Sequence, residues 1–355
     1  MANEYKCSSC GGALEFDSKT QKLICPYCGA VHDAAAYDAA AGGAAAQQQA
    51  GGSSSWNMQS DNWNVGEDGL LTYVCENCGG EVVGDDTLAS TSCPYCDSPI
   101  VRASQFSGSL RPDFIIPFKL DKKEAKAKLS RFVSGKKLVP KVFKDQKHID
   151  EIKGVYVPFW VFDADVYGEV TYNATREQNN GGQIEVGHFD VFRSGNMSFR
   201  NIPIDASSKM EDDLMDSIEP FNTNEAVPFT PAYLAGYMAD KYDVSPQEGF
   251  VRADERIKKS VEEAMRNTVK GFNTATPVAS NISMMQGQAK YALYPVWILN
   301  TTWQGKHYRF AMNGQTGKFV GDLPYDKSAY KRQLFSFAGI VSAIVFGALF
   351  LLWLI

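Results

Sequence analysis

The sequence has 355 residues, 44% apolar and 12% aromatic, with a formal net charge of -6 and a mean hydropathy of -0.26. This is ordinary globular composition, long enough for one large or several small domains, and it excludes a uniformly basic protein. The charge is uneven: residues 1–110 carry four Lys/Arg against thirteen Asp/Glu, whereas residues 119–153 carry twelve Lys/Arg against five acids.

The chain opens Met-Ala-Asn-Glu-Tyr-Lys with no apolar signal core, which predicts synthesis into the reducing cytosol. A cysteine cassette then occurs twice: C-S-S-C-G-G from Cys7 with C-P-Y-C-G ending at Gly29, and C-E-N-C-G-G from Cys75 with C-P-Y-C from Cys93 to Cys96. Fourteen residues separate the second cysteine from the third in both, and the cassettes use all eight cysteines. Paired Cys-x2-Cys turns on a hairpin aim four thiolates at one tetrahedral ion, so the spacing predicts two structural zinc ribbons, Cys7/Cys10/Cys25/Cys28 and Cys75/Cys78/Cys93/Cys96. A rubredoxin-like iron site is the rival, since iron also accepts four thiolates. Four cysteines per ion leave no open position for water, which points to structure and not to chemistry. His32 follows Cys28 but is not needed as a ligand and reads as a loop histidine.

The first ribbon is predicted over 1–32, with Leu14, Phe16, Leu23 and Ile24 as its apolar side chains. So short a unit folds only with its ion, which contributes on the order of 10 kcal/mol. Residues 33–69 are Ala-, Gly-, Gln-, Ser- and Asn-rich and read as a flexible linker, briefly helical near 34–41. Trp56 and Trp63 near its end are either a docking motif or packing for the second ribbon, predicted over 70–109.

From 110 the texture changes. Ile115-Ile116-Pro117-Phe118 reads as a short buried strand, and Asp121 caps a helix with Ala125, Leu129, Phe132 and Val133 on one face. A further amphipathic stretch runs to Ile152. Pro158-Phe159-Trp160 with Gly168 eight residues beyond its tryptophan is echoed by Pro295-Val296-Trp297 with Gly305. Both copies then alternate apolar and polar residues, predicting long half-buried antiparallel strands that bend or bulge at Gly168 and Gly305. A helical stripe at Ile257, Val261, Ala264, Met265 and Val269 precedes the second copy. Residues 110–325 are therefore expected to form one α+β domain of two related halves, with hairpin turns at Asn180-Gly181-Gly182 and 313–317. The 314–318 segment lacks Walker A spacing and is read as a turn.

A basic juxtamembrane segment, 326–333, carries Lys327, Lys331 and Arg332. Residues 334–355 hold no charge, and at about 1.5 Å each they reach about 33 Å, enough for a transmembrane helix. The positive-inside rule then places everything before it in the cytoplasm, giving a single-pass, tail-anchored cell-membrane protein.

With the paired cassettes, I-I-P-F-K at 115–119, G-V-Y-V-P-F-W at 154–160, Y-P-V-W at 294–297, N-G-Q-T-G-K at 313–318 and the apolar tail, the chain resembles a family of bacterial zinc-ribbon membrane proteins. That family is catalogued as transcription-factor-IIB-type zinc-ribbon proteins or after the primosomal replication helicase. The resemblance implies a membrane-associated partner of envelope-stress and SPFH-type scaffold proteins. It does not imply a helicase, because Walker A and B boxes and room for two motor domains are lacking. The reading is a non-enzymatic, membrane-anchored adaptor that holds two Zn2+ ions, contacts lipid through its C-terminal helix and recruits a cytosolic or membrane-associated scaffold protein. The alternative is a nucleic-acid-binding ribbon protein, which the acidic ribbons disfavour. The four histidines, His32, His148, His188 and His307, are scattered, although His188 and His307 fall in strand-like sequence that can bring them together.

Overall fold

The computed structural model describes residues 5–34, 56–58, 70–84, 92–105, 110–136 and 138–354. The first ribbon is a separate three-stranded sheet of β1 (Glu15–Asp17), β2 (Lys22–Ile24) and β3 (Val31–His32). The other described strands form one mixed sheet: β4 (Trp56–Met58), β5 (Leu71–Val74), β6 (Glu81–Gly84), β7 (Val101–Gln105), β8 (Phe114–Ile115), β9 (Lys153–Asn180), β10 (Gln183–Asp205), β11 (Val227–Pro228), β12 (Met238–Asp240), β13 (Thr274–Trp303), β14 (Lys306–Asn313) and β15 (Phe319–Gly321). Helices α1 (Lys122–Ser134), α2 (Gln146–Ile149), α3 (Asp212–Ile218), α4 (Pro246–Thr268) and α5 (Lys327–Leu354) complete it.

The fold is organised around the antiparallel pairing of β9 with β13. Pro158 lies opposite Leu293, Pro295 opposite Tyr156, and Val157 opposite Tyr294, so a local two-fold axis passes through the Val157–Tyr294 pair and exchanges the two Pro-x-Trp segments. The same axis relates β8, parallel to β13 at Ala292 and Leu293, to β12, parallel to β9 at Val155 and Tyr156. Each short strand leads into a helix closed by a capping box, Asp121 with Glu124 for α1 and Ser245 with Glu248 for α4.

Hydrogen bonds repeat across this axis. Trp160 Nε1 donates to Val244 O at 3.1 Å and Trp297 Nε1 to Leu120 O at 3.2 Å, each carbonyl lying just before a helix N-cap of the opposite half. Ala206 N donates to Pro158 O and Gly314 N to Pro295 O; in return Ala206 O accepts from Asp243 and Val244 amides, and Gly314 O from Lys119 and Leu120 amides. Asp205 and Asn313 each accept an amide two residues ahead, from Ser207 and Gln315. The two halves are thus duplicated and interlocked, each tryptophan fixing the start of the other half's helix.

The long strands are half-buried only in their outer parts. Their roots, including Val155 to Phe162 and Ala292 to Leu299, are buried on both faces, which explains the unbroken apolar runs there. Beyond Phe162 the expected alternation holds: Ala164, Val166, Val170 and Tyr172 face α4, whose Ala253, Ile257, Val261 and Met265 cover them. Burying one large aliphatic side chain there stabilises by about 1.5–3 kcal/mol.

One expectation is corrected. Gly305 is not a bend within a strand: with Gln304 it forms the tight turn from β13 to β14, both at positive φ (52° and 74°), whereas Gly168 lies inside β9, where a Cβ would meet Val261 Cγ1 at 2.8 Å. The amphipathic stretch before Gly154 is built from a 3-10 turn (Lys141–Lys144) and the single turn α2. The first ribbon docks on the duplicated domain: Phe16 N donates to Ala235 O, its ring packs on Tyr233 at 5.0 Å, and Lys19 pairs with Asp121 at 2.7 Å.

Most of the linker, including 35–41 and Trp63, lies outside the described residues. Trp56, within it, packs on the duplicated domain and not on the second ribbon: its ring stacks on Phe250, meets Phe162 edge-on, and its Nε1 donates to Asp254. Helix α5 spans Lys327–Leu354, and the side chains from 348 onward lie outside the described residues. Among the described residues no helix is long and apolar enough to cross a membrane.

Two outcomes test these assignments. Gly168→Ala should lower stability by about 1–3 kcal/mol through overpacking against α4, while Gly305→Asn, which keeps a left-handed turn, should cost less than about 1 kcal/mol in denaturant unfolding. Asp205 is buried with Oδ2 lacking a hydrogen-bond partner, and burial pushes its carboxyl well above the ordinary 3.8. A raised folded-state value means no penalty at acid pH and a loss of stability as pH rises through it. Asp205→Asn, copying its two-fold mate Asn313, should therefore stabilise by on the order of 1 kcal/mol at neutral pH, with the gain vanishing below about pH 4.

Candidate metal centres

Both predicted cysteine quartets converge. In each, the four sulfurs lie within 4.8 Å of one another. Cys7–Cys28 and Cys10–Cys25 stand 3.5 Å apart in the first ribbon, and Cys75–Cys96 and Cys78–Cys93 3.5 and 3.7 Å apart in the second. Ligands about 2.3 Å from a tetrahedral ion stand about 3.8 Å from one another, so both sites have the dimensions of a four-thiolate centre. All eight cysteines are free of disulfides.

The knuckles explain how so short a sequence builds these sites. The amides of Gly11, Gly29 and Gly79 bond back to Cys7, Cys25 and Cys75, with each glycine at positive φ; Asp97 occupies the same place after Cys96 at φ 60°. Backbone N–H groups of Ser9 and Tyr95 point at Cys7 and Cys93 sulfurs at 3.4 Å. His32 Nε2 lies 3.8 Å from Cys7 Sγ, and this contact, followed by the Ser9 amide, draws the Cys7 thiol down to about 5. Cys28 is pushed up to about 12: the Ala30 amide favours its thiolate, but the sulfurs of Cys10, Cys7 and Cys25 oppose a further negative charge. The donor set therefore suits a divalent cation, which relieves that repulsion.

The surroundings of the two centres differ. The knuckle Cys93 to Asp97 of the second ribbon is clamped onto the duplicated domain through its carbonyls: Lys153 Nζ donates to Cys93 O at 3.0 Å and pairs with Asp97, Asn300 Nδ2 donates to Pro94 O, and Arg309 donates to Tyr95 O. The Lys209 ammonium lies 5.8 Å from the Tyr95 ring centroid and pairs with buried Asp240 at 2.8 Å. Strand β6 also continues the large sheet by pairing with β12 at Val82 and Val83. In the first ribbon the matching knuckle faces solvent, with Tyr27 77% exposed and Cys10 and Cys28 exposed. The basic clamp was not among the sequence expectations, since it acts on backbone carbonyls from residues far away in the chain.

The other candidates separate. His148 bonds to Glu151 and to Thr301 Oγ1. His188 lies opposite Thr175 on the β9–β10 hairpin and His307 opposite Thr302 on the β13–β14 hairpin, so the two histidines form no site. The 314–318 turn offers no phosphate cradle, because the Gln315 and Thr316 amides are held by Asn313 Oδ1 and the Gly314 amide by Pro295 O.

Metal analysis of the purified chain should return two ions, falling to one in either Cys7→Ser or Cys75→Ser. The second substitution should also lower the unfolding midpoint of the duplicated domain by a clear margin, since its ribbon shares the large sheet; the first should leave that midpoint close to wild type.

No protein-family model matches the chain, and no solved structure matches it. Over 331 residues it is 33% identical to a Bacillus subtilis (strain 168) protein named Uncharacterized protein YdjG, covering 92% of each chain. At that identity and coverage, the chain belongs to the YdjG family.

Proposed function

We propose that the chain is a non-enzymatic, membrane-anchored adaptor of the transcription-factor-IIB-type zinc-ribbon kind, holding zinc in both centres and presenting its first ribbon to a protein partner on the cytoplasmic side. The observation that carries this reading is the asymmetry of the ribbons. One is built into the sheet and held by Lys153, Asn300 and Arg309, while the other turns Tyr27, Val31 and two metal-ligand cysteines toward solvent. An exposed aromatic on a unit with no excess of Lys/Arg over Asp/Glu suits recognition of a protein better than of a phosphate backbone. Two closed four-thiolate centres support structural zinc.

Membrane anchoring is supported by the uncharged segment 334–355 and by the described part of α5, where Phe335 and Phe346 are 72% and 75% exposed. So much contiguous apolar surface on one helix calls for an apolar environment, and the basic residues before it favour a cytoplasmic domain. The partner proposed is a cytosolic or membrane-associated scaffold protein.

The test is affinity capture from cross-linked membranes with wild type and Tyr27→Ala. The variant should keep two zinc ions and lose a specific protein partner. Retention of every partner, or loss of nucleic acid in place of protein, would sink the adaptor reading.

A further inference from the structure

We propose that the cations at the junction of α1, the 3-10 turn Lys141–Lys144 and the start of α5 form a platform for anionic phospholipid headgroups. This rests on the membrane reading of α5. The helix does not leave the domain through a loose connection: Asp326 N donates to Leu138 O at 2.8 Å, and the Asp326 carboxylate caps the helix through the amides of Ser328 and Ala329. The loop that follows α1 therefore sits where the apolar helix begins. If that helix enters a bilayer, this loop faces its surface.

Cations outnumber acids there. Lys327, Lys331 and Arg332 lie in the first turns of α5, and Lys136 and Lys141 are exposed beside them in the chain around Leu138. Lys144 Nζ donates to Lys136 O at 2.7 Å, and Lys136 Nζ lies 3.6 Å from the Phe132 ring centroid, so local contacts orient both ammonium groups. Among the described residues, the ion pairs of the basic segment engage Lys119, Lys126 and Lys153 and leave Lys136, Lys141 and Lys144 without a carboxylate partner. The nearby acids have other work, Asp145 accepting the Lys147 amide and Asp326 capping α5. Exposed Tyr325 and Tyr330 flank the junction, as aromatic residues do at headgroup level, and Val142 is exposed next to Lys141.

Range selects these cations over the remaining lysines of α1. Attraction to an anionic leaflet fades within about 8 Å at physiological ionic strength, while the far end of the 13-residue α1 lies about 20 Å from the junction. Lys136, Lys141 and Lys144 thus belong to the platform, and Lys123 does not.

The experiment uses the full chain in proteoliposomes of neutral phosphatidylcholine or of phosphatidylcholine mixed with phosphatidylglycerol. A water-soluble amine-acetylating reagent is pulsed, and labelling is read by peptide mass spectrometry. Lys136, Lys141 and Lys144 should label several-fold more slowly on the anionic vesicles, the protection should disappear at high salt, and Lys258 and Lys259 on α4 should label alike on both. Equal labelling of the three lysines in both compositions would overturn the platform while leaving the anchor intact. Stripping of the chain from both vesicle types by alkaline carbonate would instead remove the anchor, and the platform with it.

Discussion

The constraint on which the molecule depends is the register between β9 and β13 at the Val157–Tyr294 pair. A slip of one residue would put Trp160 and Trp297, which now share a face, on opposite faces of the sheet and withdraw one indole N–H from its helix start. The prolines guard that register. Pro158 and Pro295 donate nothing, and their carbonyls are claimed by Ala206 and Gly314, which are themselves tied to the helix starts. Each helix is thereby positioned by a strand of the opposite half, and neither half has a complete set of partners alone.

On this frame the two ribbons hold different positions despite nearly identical cassettes. The second gives its hairpin to the large sheet, and Lys153 and Arg309 hold its knuckle by the backbone carbonyls while Lys209 lies over the Tyr95 ring. The first is pinned by its hairpin, through Phe16 and Lys19, and leaves its knuckles in water, where charge is screened. Identical local chemistry therefore yields one centre integrated into the scaffold and one presented at its surface.

What the sequence made legible follows from the range of the interactions involved. The cysteine quartets were readable because knuckle geometry is local, and the outer part of β9 because one face meets α4 while the other is open, producing strict alternation from Phe162 to Tyr172. The root of β9 is buried on both sides and loses its period. Gly168 and Gly305 share a spacing but not a cause: one admits a helix, the other turns the chain. Helix α4 starts at Pro246, well before the apolar stripe that begins at Ile257, and its first turns are hidden by Gly249, a poor helix former present because a Cβ there would meet Trp160 at 2.8 Å. Trp56 was ambiguous, since its partners Phe162, Phe250 and Asp254 lie far along the chain.

The pairing of β6 with β12 has a consequence for the order of events on the ribosome. Lys241, just past β12, bonds to Glu81 of β6 across 160 residues of chain. The second cassette emerges complete long before that strand is made, so its thiolates can take up a metal ion while the edge of β6 is still uncovered. Early metallation would then hold a preformed hairpin ready as a template for newly made β12, before β13, the partner of β9, has been synthesised.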